Sequence, residues 1–448
     1  MIKLLPVILA ALILVPGCAV LDPHNIVGRH YPDQPASNVP VPSTDNSWRQ
    51  AALDYVWTTI NEKYYDPKLN GVDWDAARRK YESSILSAAS DDDYWEALDR
   101  MTGELRDSHT RVHGPKQVAQ QRDHESHSLG IGFLEIGGEL VVTSVHMQSD
   151  AYWAGVRVGM TLKSIEGEPA MVRYRRLMTE VRDSSTPWAR TRGAIRKITA
   201  GDVDSMVSMT FARSGSADSV GADIPVTMKR RIFRIPPEIT WRILPSGHGY
   251  VRFTNFLGGM EDGILSAIDS MKDTPGTIVD LRNNGGGSLA MSSTLITRFL
   301  SEKAKGARVL TRSGQPVTVA FIPVIKMETE LNGSKENAYT KPLVILTNEL
   351  SASASEIFSS TLQDLGRATV IGQRSCGCLL GYLGYADLPG GGQLAYSEIG
   401  FVSPKGKRIE GEGVKPDIEI KLTREDILFN RDRVLEAADA FLKKKPKT

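Results

Sequence analysis

From Gly249 onward, apolar runs of strand length alternate with segments of helical periodicity, and this alternation narrows the fold more than any other feature of the chain. Strands are expected over residues 250–256, 277–281, 343–347 and 369–372, and helices over 260–271, 288–300 and 353–365. Strand, helix and strand in succession call for parallel pairing through crossovers. The second half of the chain therefore reads as an α/β domain whose strand-to-helix turns gather along one edge, where ligands usually bind. A chain of 448 residues exceeds what one hydrophobic core normally organises, so two or three domains are expected.

The upstream sequence has a different texture. Trp48, Ala52, Tyr55, Val56 and Ile60 fall on one helical face, and residues 74–88 and 91–105 continue a helical pattern that stops at Asp107-Ser108-His109-Thr110. Between about 129 and 231 the pattern becomes short strands with Gly-containing turns. Leu129-Gly130-Ile131-Gly132-Phe133, the β-branched run 140–145 and the segment from Ala151 to Gly167 together resemble a PDZ domain. That resemblance implies a loop at Leu129, Gly130, Ile131, Gly132 and Phe133 offering backbone N–H groups to a peptide's C-terminal carboxylate, while the peptide adds as a strand. The stretch 173–223 is longer than such a domain needs, so an insertion or irregular hairpin is expected there. The division that follows is a helical unit over 47–118, a PDZ-like β domain over 119–232 and a catalytic α/β domain over 233–448.

At the N-terminus Lys3 precedes an apolar run from Leu4 to Val15, then Pro16-Gly17-Cys18. This reads as an export signal over 1–18, too short to span a bilayer comfortably. Val15-Pro16-Gly17-Cys18 resembles a bacterial lipobox, which implies lipidation of Cys18, attachment to an envelope membrane and a Pro- and Asn-rich tether over 19–46; cleavage with soluble release is the alternative. Lys plus Arg number 54 against 53 Asp plus Glu, so no charge excess draws the chain to nucleic acid. The eight His and three Cys show no zinc-ligand spacing, and neither a metal nor another cofactor is expected. Cys376 and Cys378, separated by one Gly, are poorly spaced for an unstrained disulfide.

Two motifs lie on turns of the α/β domain. Ser351-Ala352-Ser353-Ala354-Ser355-Glu356 joins an apolar strand to a helix. A hydroxyl there faces the positive end of the helix dipole and suits a nucleophile, although any of the three serines would also serve as a helix cap. Asp280-Leu281-Arg282-Asn283-Asn284-Gly285-Gly286-Gly287 ends another strand, and three glycines let the backbone approach a substrate and present N–H groups. A phosphate loop competes with that reading, but the Lys-Ser/Thr ending of a P-loop is missing.

The order DSHT at 107–110, the PDZ-like segment, DLRNNGGG, SASASEIF and GEGVKPD resembles the carboxyl-terminal processing and tricorn-core serine peptidases, over roughly residues 48–422. The resemblance implies a Clp protease/crotonase-like catalytic fold, Ser353 as nucleophile and an oxyanion hole from Gly286 and Ala354. The processing branch takes its base from a lysine, and here that position is Cys378, whose thiol cannot supply an amine. The tricorn-like branch instead implies the pair Ser108-His109, with Glu410 matching its glutamate better than Glu412. An imidazole titrating near neutrality suits a general base. The expected activity is a serine-type endopeptidase of the cell envelope acting on unfolded or tail-presented proteins. The alternatives are an inactive PDZ-type peptide-binding protein and an esterase on the same fold. The sequence does not fix the oligomeric state.

Overall fold

The computed structural model describes residues 21–29, 47–122, 125–213, 223–234 and 237–445. Cys18 and the export signal lie outside the described residues, as do residues 30–46 of the expected tether. The chain forms two compact units, each assembled from separate stretches.

The first unit comprises Met1–Arg122, Lys305–Glu330 and Leu380–Glu410. Its helices Ser47–Lys63, Trp74–Leu86 and Asp91–Gly103 follow the expected periodicity. Asp73 and Ser90 cap the second and third by accepting from Ala76 and Asp93 N–H, and Asp91, Asp92 and Asp93 place negative charge at the third helix's positive end. Trp48, Ala52, Val56 and Ile60 are buried, and Trp48 stacks on Trp95 at 5.3 Å between ring centroids, whereas Tyr55 is exposed. Later stretches complete the unit: Arg111–His113 pairs antiparallel with Gln393–Ala395, and Ala304–Thr311 with Ile399–Val402.

Residues 21–29 depart from a free tether. Arg29 is buried and donates to Glu398 at 2.5 and 2.9 Å, and His24 Nδ1 lies 3.0 Å from the same carboxylate. Burial would raise the Glu398 carboxyl, but the bonds to His24 and Arg29 outweigh it and hold it below the usual range. Its contribution to stability is therefore present above the unfolded carboxyl's pKa and is lost as pH falls through the lowered folded value. Arg29→Ala leaves the carboxylate buried without its main partner and should cost about 3–5 kcal/mol near neutral pH. Urea unfolding followed across pH checks this; a loss under 1 kcal/mol, or one that does not shrink in acid, contradicts it.

The second unit comprises Asp123–Ala304, Leu331–Leu379 and Gly411–Thr448. One sheet runs in the order Ile239–Ile243, Gly249–Phe253, Thr277–Asp280, Leu343–Thr347, Thr369–Gly372 and Ile418–Glu419. The first pair is antiparallel and the other four are parallel, as the strand-helix alternation requires. Alternate residues serve opposite faces. Tyr250, Ile278, Val344 and Leu346 pack with Val434, Ala438 and Leu442 of the helix Arg433–Lys443, while Val251 and Val279 face Ile264, Leu295 and Phe358. The parallel register brings the ends of Thr277–Asp280 and Leu343–Thr347 side by side, Asp280 opposite Leu346, and so sets the two motif turns next to each other.

A second sheet has the order Ile131–Ile136, Glu139–Val145, Thr161–Ile165, Met206–Ala212 and Ile224–Lys229. Where an insertion or irregular hairpin was expected over 173–223, the structure places the helices Ala170–Glu180 and Pro187–Thr199, burying Tyr174, Leu177, Ala194 and Ile198 at helical spacing, ahead of the strand Met206–Ala212. Thr186 as cap and Pro187 at the first helical position mark the second helix in the sequence itself. Two further helices, Arg424–Leu428 and Arg433–Lys443, are separated at Asn430 with φ 48°.

Candidate active site

The helix Ala354–Asp364 begins directly after the strand Leu343–Thr347 and a short turn. Of the three serines in that turn, two are already spoken for. Ser351 and Ser355 are fully buried, donating to the carbonyls of Leu281 at 2.7 Å and Asn284 at 2.9 Å. Ser353 is half-buried and adopts φ 55°, ψ −116°, a conformation that costs a non-glycine residue on the order of 1–3 kcal/mol. Strand, strained serine and helix make a strand-turn-helix corner that sets Ser353 at the positive end of the helix, a geometry suited to presenting a nucleophile.

The strain is held by hydrogen bonds. Ser353 N–H is shared between the Cys378 carbonyl at 3.1 Å and Glu356 Oε2 at 3.0 Å. Glu356 is fully buried and also accepts from Ser375 Oγ at 2.5 Å, Gly377 N–H at 2.7 Å and Cys378 N–H at 3.0 Å. Burial pushes its carboxyl up to about 7, against the opposing effect of those hydrogen bonds.

The glycine-rich turn is laced to the serine turn. Asn284 is buried, donates from Nδ2 to the Phe253 carbonyl at 2.9 Å and accepts Ala352 N–H at 3.0 Å, while Asn283 and Asn348 exchange hydrogen bonds at 2.8 and 2.9 Å. Gly286 has φ 96°, and a Cβ there would lie 2.7 Å from Ser353 Cβ and 2.8 Å from Ala354 N. That close approach is the one expected beside an oxyanion. The Gly286 N–H, however, donates to Asn284 Oδ1 at 2.9 Å, so in this conformation the turn's own asparagine takes the hydrogen bond expected for an oxyanion. Ala354 opens the helix, where N–H groups have no intrahelical acceptor.

Cys376 and Cys378 are joined by a disulfide, which corrects the expectation from their spacing. Both are buried and pack with Ala352 and Ala189. The loop is tied to the helix Pro187–Thr199 through Thr186 Oγ1 to the Cys376 carbonyl at 2.8 Å and Trp188 Nε1 to the Ser375 carbonyl at 3.1 Å.

Ser108, His109 and Glu410 belong to the first unit, Ser353, Ala354 and Gly286 to the second. In the first unit Asp107 is fully buried and organises the DSHT turn: it accepts His109 N–H at 2.7 Å, Thr110 Oγ1 at 2.5 Å and Ser397 Oγ at 2.6 Å. The Ser108 carbonyl accepts Arg111 Nε at 2.9 Å. His109 is half-buried, its Nδ1 is closed off from solvent, and no hydrogen-bond partner reaches that atom among the described residues. Burial lowers the imidazole pKa below its ordinary value; Asp107 opposes that and Arg111 adds to it. Glu410 is buried near Tyr64, whose hydroxyl is raised well above its usual range by burial first, then by Asp107, Tyr65 and Glu410.

Leu129, Ile131 and Phe133 are core residues of the second sheet. Gly130, at φ 68°, leaves no room for a Cβ between Phe233 and Ser149, and Gly132 lies opposite Ser144 in the pairing of Ile131–Ile136 with Glu139–Val145. Ile131–Ile136 is a terminal strand in the described sheet order. The sequence pointed to none of Glu356, Ser375, Asp107 or Asn284 as a site residue, because each acts through contacts with residues distant in the chain. Among the described residues no cluster of three or more His, Cys, Asp or Glu could hold a metal.

Residues 247–420 match the sequence profile of Peptidase family S41, and residues 45–103 that of the Tricorn protease C1 domain. The chain is 28% identical to Carboxyl-terminal-processing peptidase 3, chloroplastic, of Arabidopsis thaliana, over 83% of this chain and 68% of that protein. It is 26% identical to the Carboxyl-terminal-processing protease of Synechocystis, over 82% and 80%. Among solved structures, the photosystem II D1 C-terminal processing protease aligns with TM-score 0.55 at 22% identity, covering 90% of this chain and 100% of that one. Mature CPAF complexed with lactacystin aligns with TM-score 0.66 at 16% identity, over 88% and 98%. At those identities the structures speak for the fold.

Proposed function

We propose that this protease, whose residues 247–420 match the profile of Peptidase family S41, cleaves unfolded or tail-presented proteins through an acyl-enzyme on Ser353. The observation that carries the assignment is selective: within Ser351-Ala352-Ser353-Ala354-Ser355 only Ser353 is not fully buried, and it sits strained at a helix N-terminus.

In this reading Ser353 Oγ attacks the peptide carbonyl carbon, its proton passes to His109, and the tetrahedral oxyanion is met by Ala354 N–H. Gly286 N–H joins once it leaves Asn284. Collapse breaks the C–N bond as His109 returns the proton to the leaving amine; water then repeats the sequence to release the acyl group. A lowered imidazole pKa keeps His109 neutral, and so able to accept a proton, at and above neutral pH. Glu410 and Ser108 would orient the imidazole. Cys378, bound in a disulfide, supplies no base, which favours the Ser-His-Glu arrangement over a Ser-Lys dyad.

The terminal strand Ile131–Ile136 supports a PDZ-like role, with a substrate tail adding beside it, and the catalytic domain would follow the Clp protease/crotonase plan. An export signal and lipidation at Cys18 would place the enzyme on an envelope membrane. No helix among the described residues is long and apolar enough to cross a membrane.

A fluorophosphonate probe tests the site. Labelling should map to Ser353 by mass spectrometry and fall by at least about 10²-fold in rate in His109→Ala. A wild type that resists the probe, or an adduct elsewhere, favours a peptide-binding role; labelling untouched by His109→Ala removes that residue as base.

A further inference from the structure

We infer that Glu356 is a positioning residue whose ionised carboxylate holds Ser353 and the 375–378 loop in their reactive arrangement. This rests on Ser353 being the nucleophile. The argument begins with the count of donors. Oε2 receives Ser353 N–H and Cys378 N–H at 3.0 Å each, and Oε1 receives Gly377 N–H at 2.7 Å and Ser375 Oγ at 2.5 Å. Ser375 Oγ in turn accepts Val414 N–H at 2.6 Å, so the hydroxyl proton is directed at the carboxylate. All four groups donate, and an ionised carboxylate can accept from all of them. A neutral carboxylic acid cannot, because its own O–H would meet a donor and unseat at least one.

Two of the four donors matter directly for the nucleophile. The Ser353 N–H belongs to the strained residue itself, and Cys378 supplies both a donor to Glu356 and the second acceptor for Ser353 N–H. The carboxylate therefore closes a ring joining the nucleophile's peptide to the disulfide loop. Loss of one contact lets Ser353 relax toward an ordinary backbone conformation and move its hydroxyl away from the Ala354 N–H.

Among the described residues the neighbouring cations are engaged elsewhere. On the loop, Arg374 donates to the Glu412 carbonyl; on the helix Pro187–Thr199, Arg190 pairs with Asp183; by the glycine-rich turn, Arg282 is taken by Asp280 and Asp432. Among the described residues the carboxylate is met by Ser375, Gly377, Ser353 and Cys378, and no ion pair reaches it. The carboxylate is held by neutral donors in a dry site, and burial lifts its carboxyl from 4.5 to about 7. The consequences for activity and stability have opposite signs. Reactivity needs the ionised form and falls as pH drops through about 7. A folded pKa above the unfolded one means the native state binds the proton more tightly, so the contribution to stability is full in acid and is lost as pH rises from 4.5 to about 7.

That opposition separates positioning from ordinary scaffolding. Glu356→Gln is permanently neutral. In the full chain, its fluorophosphonate labelling at pH 8 should be about 10-fold slower or more, and its rate should lack the inflection near neutrality that the wild type shows. The lower inflection from His109 should remain. Ser375→Ala removes one donor, makes the anion harder to sustain and should move the inflection to higher pH, a readout that survives if Glu356→Gln folds poorly. Glu356→Gln labelling at the wild-type rate with the same pH profile, or a stationary inflection in Ser375→Ala, overturns the inference while leaving Ser353 in place. A wild type that resists labelling removes both.

Discussion

Ser353→Ala lowers protein cleavage by about 10³- to 10⁶-fold and leaves the fold intact. The size follows from chemistry: without Oγ no acyl-enzyme forms, and only binding and oxyanion stabilisation remain. The selectivity follows from packing. Ser351 and Ser355 are buried with their hydroxyls bonded to Leu281 and Asn284 carbonyls, so neither can substitute. Stability should be nearly unchanged, because the side chain removed is half-buried and the Ser353 N–H bonds to Glu356 and Cys378 involve the backbone. Casein hydrolysis measured beside a thermal melt checks both halves. Residual activity above about a hundredth of wild type would assign the nucleophile elsewhere.

Gly286→Ala has the second-largest expected effect, through geometry instead of missing chemistry. At φ 96° any Cβ is strained, and this one would stand 2.7 Å from the Ala352 carbonyl oxygen and from Ser353 Cβ. Backbone on one side and the nucleophile on the other leave nothing flexible to yield. Activity should drop by about 10²-fold or more and stability by about 1–3 kcal/mol. Gly285→Ala is the control: a Cβ there meets nothing within 4 Å, and both quantities should stay near wild type. Equal losses at the two positions would mean that the turn tolerates no substitution for reasons other than the approach to Ser353.

The α/β core was legible because its strands are short, apolar and buried on both faces. Residues 343–347 and 369–372 coincide with the expected limits, and the helices differ by one to three residues at their ends. The strands at 304–331 and 380–402 carried no such signal. Ile322–Ile325 is mostly exposed, and Leu380–Gly381 and Ala386–Asp387 are two residues long, so their pairing is set by tertiary neighbours. Within the site, Ser353 and Gly286 stood on turns that composition marks. His109 and Glu410 came only from motif order, and either alone reads as an ordinary turn residue. Glu356 was printed in the motif yet indistinguishable from a helix-capping glutamate, which it also is. What sets it apart, the donors from Ser375, Gly377 and Cys378, lies about twenty residues away.

The interleaving of the two units has a consequence for how the chain is born. Residues 111–113 find their strand partner only at 393–395, and residues 308–311 only at 399–402. A ribosome delivers the N-terminal helices first, but their unit cannot close until the chain beyond residue 400 has emerged. Such pairings between distant stretches fold slowly. The proposed nucleophile, Ser353, is likewise delivered before the segment carrying Val414, whose N–H completes the network behind Glu356. A protease ordered in this way stays incompetent until that segment has emerged, and a truncation that removes residues 411–448 should silence it while leaving Ser353, His109 and Glu410 in place.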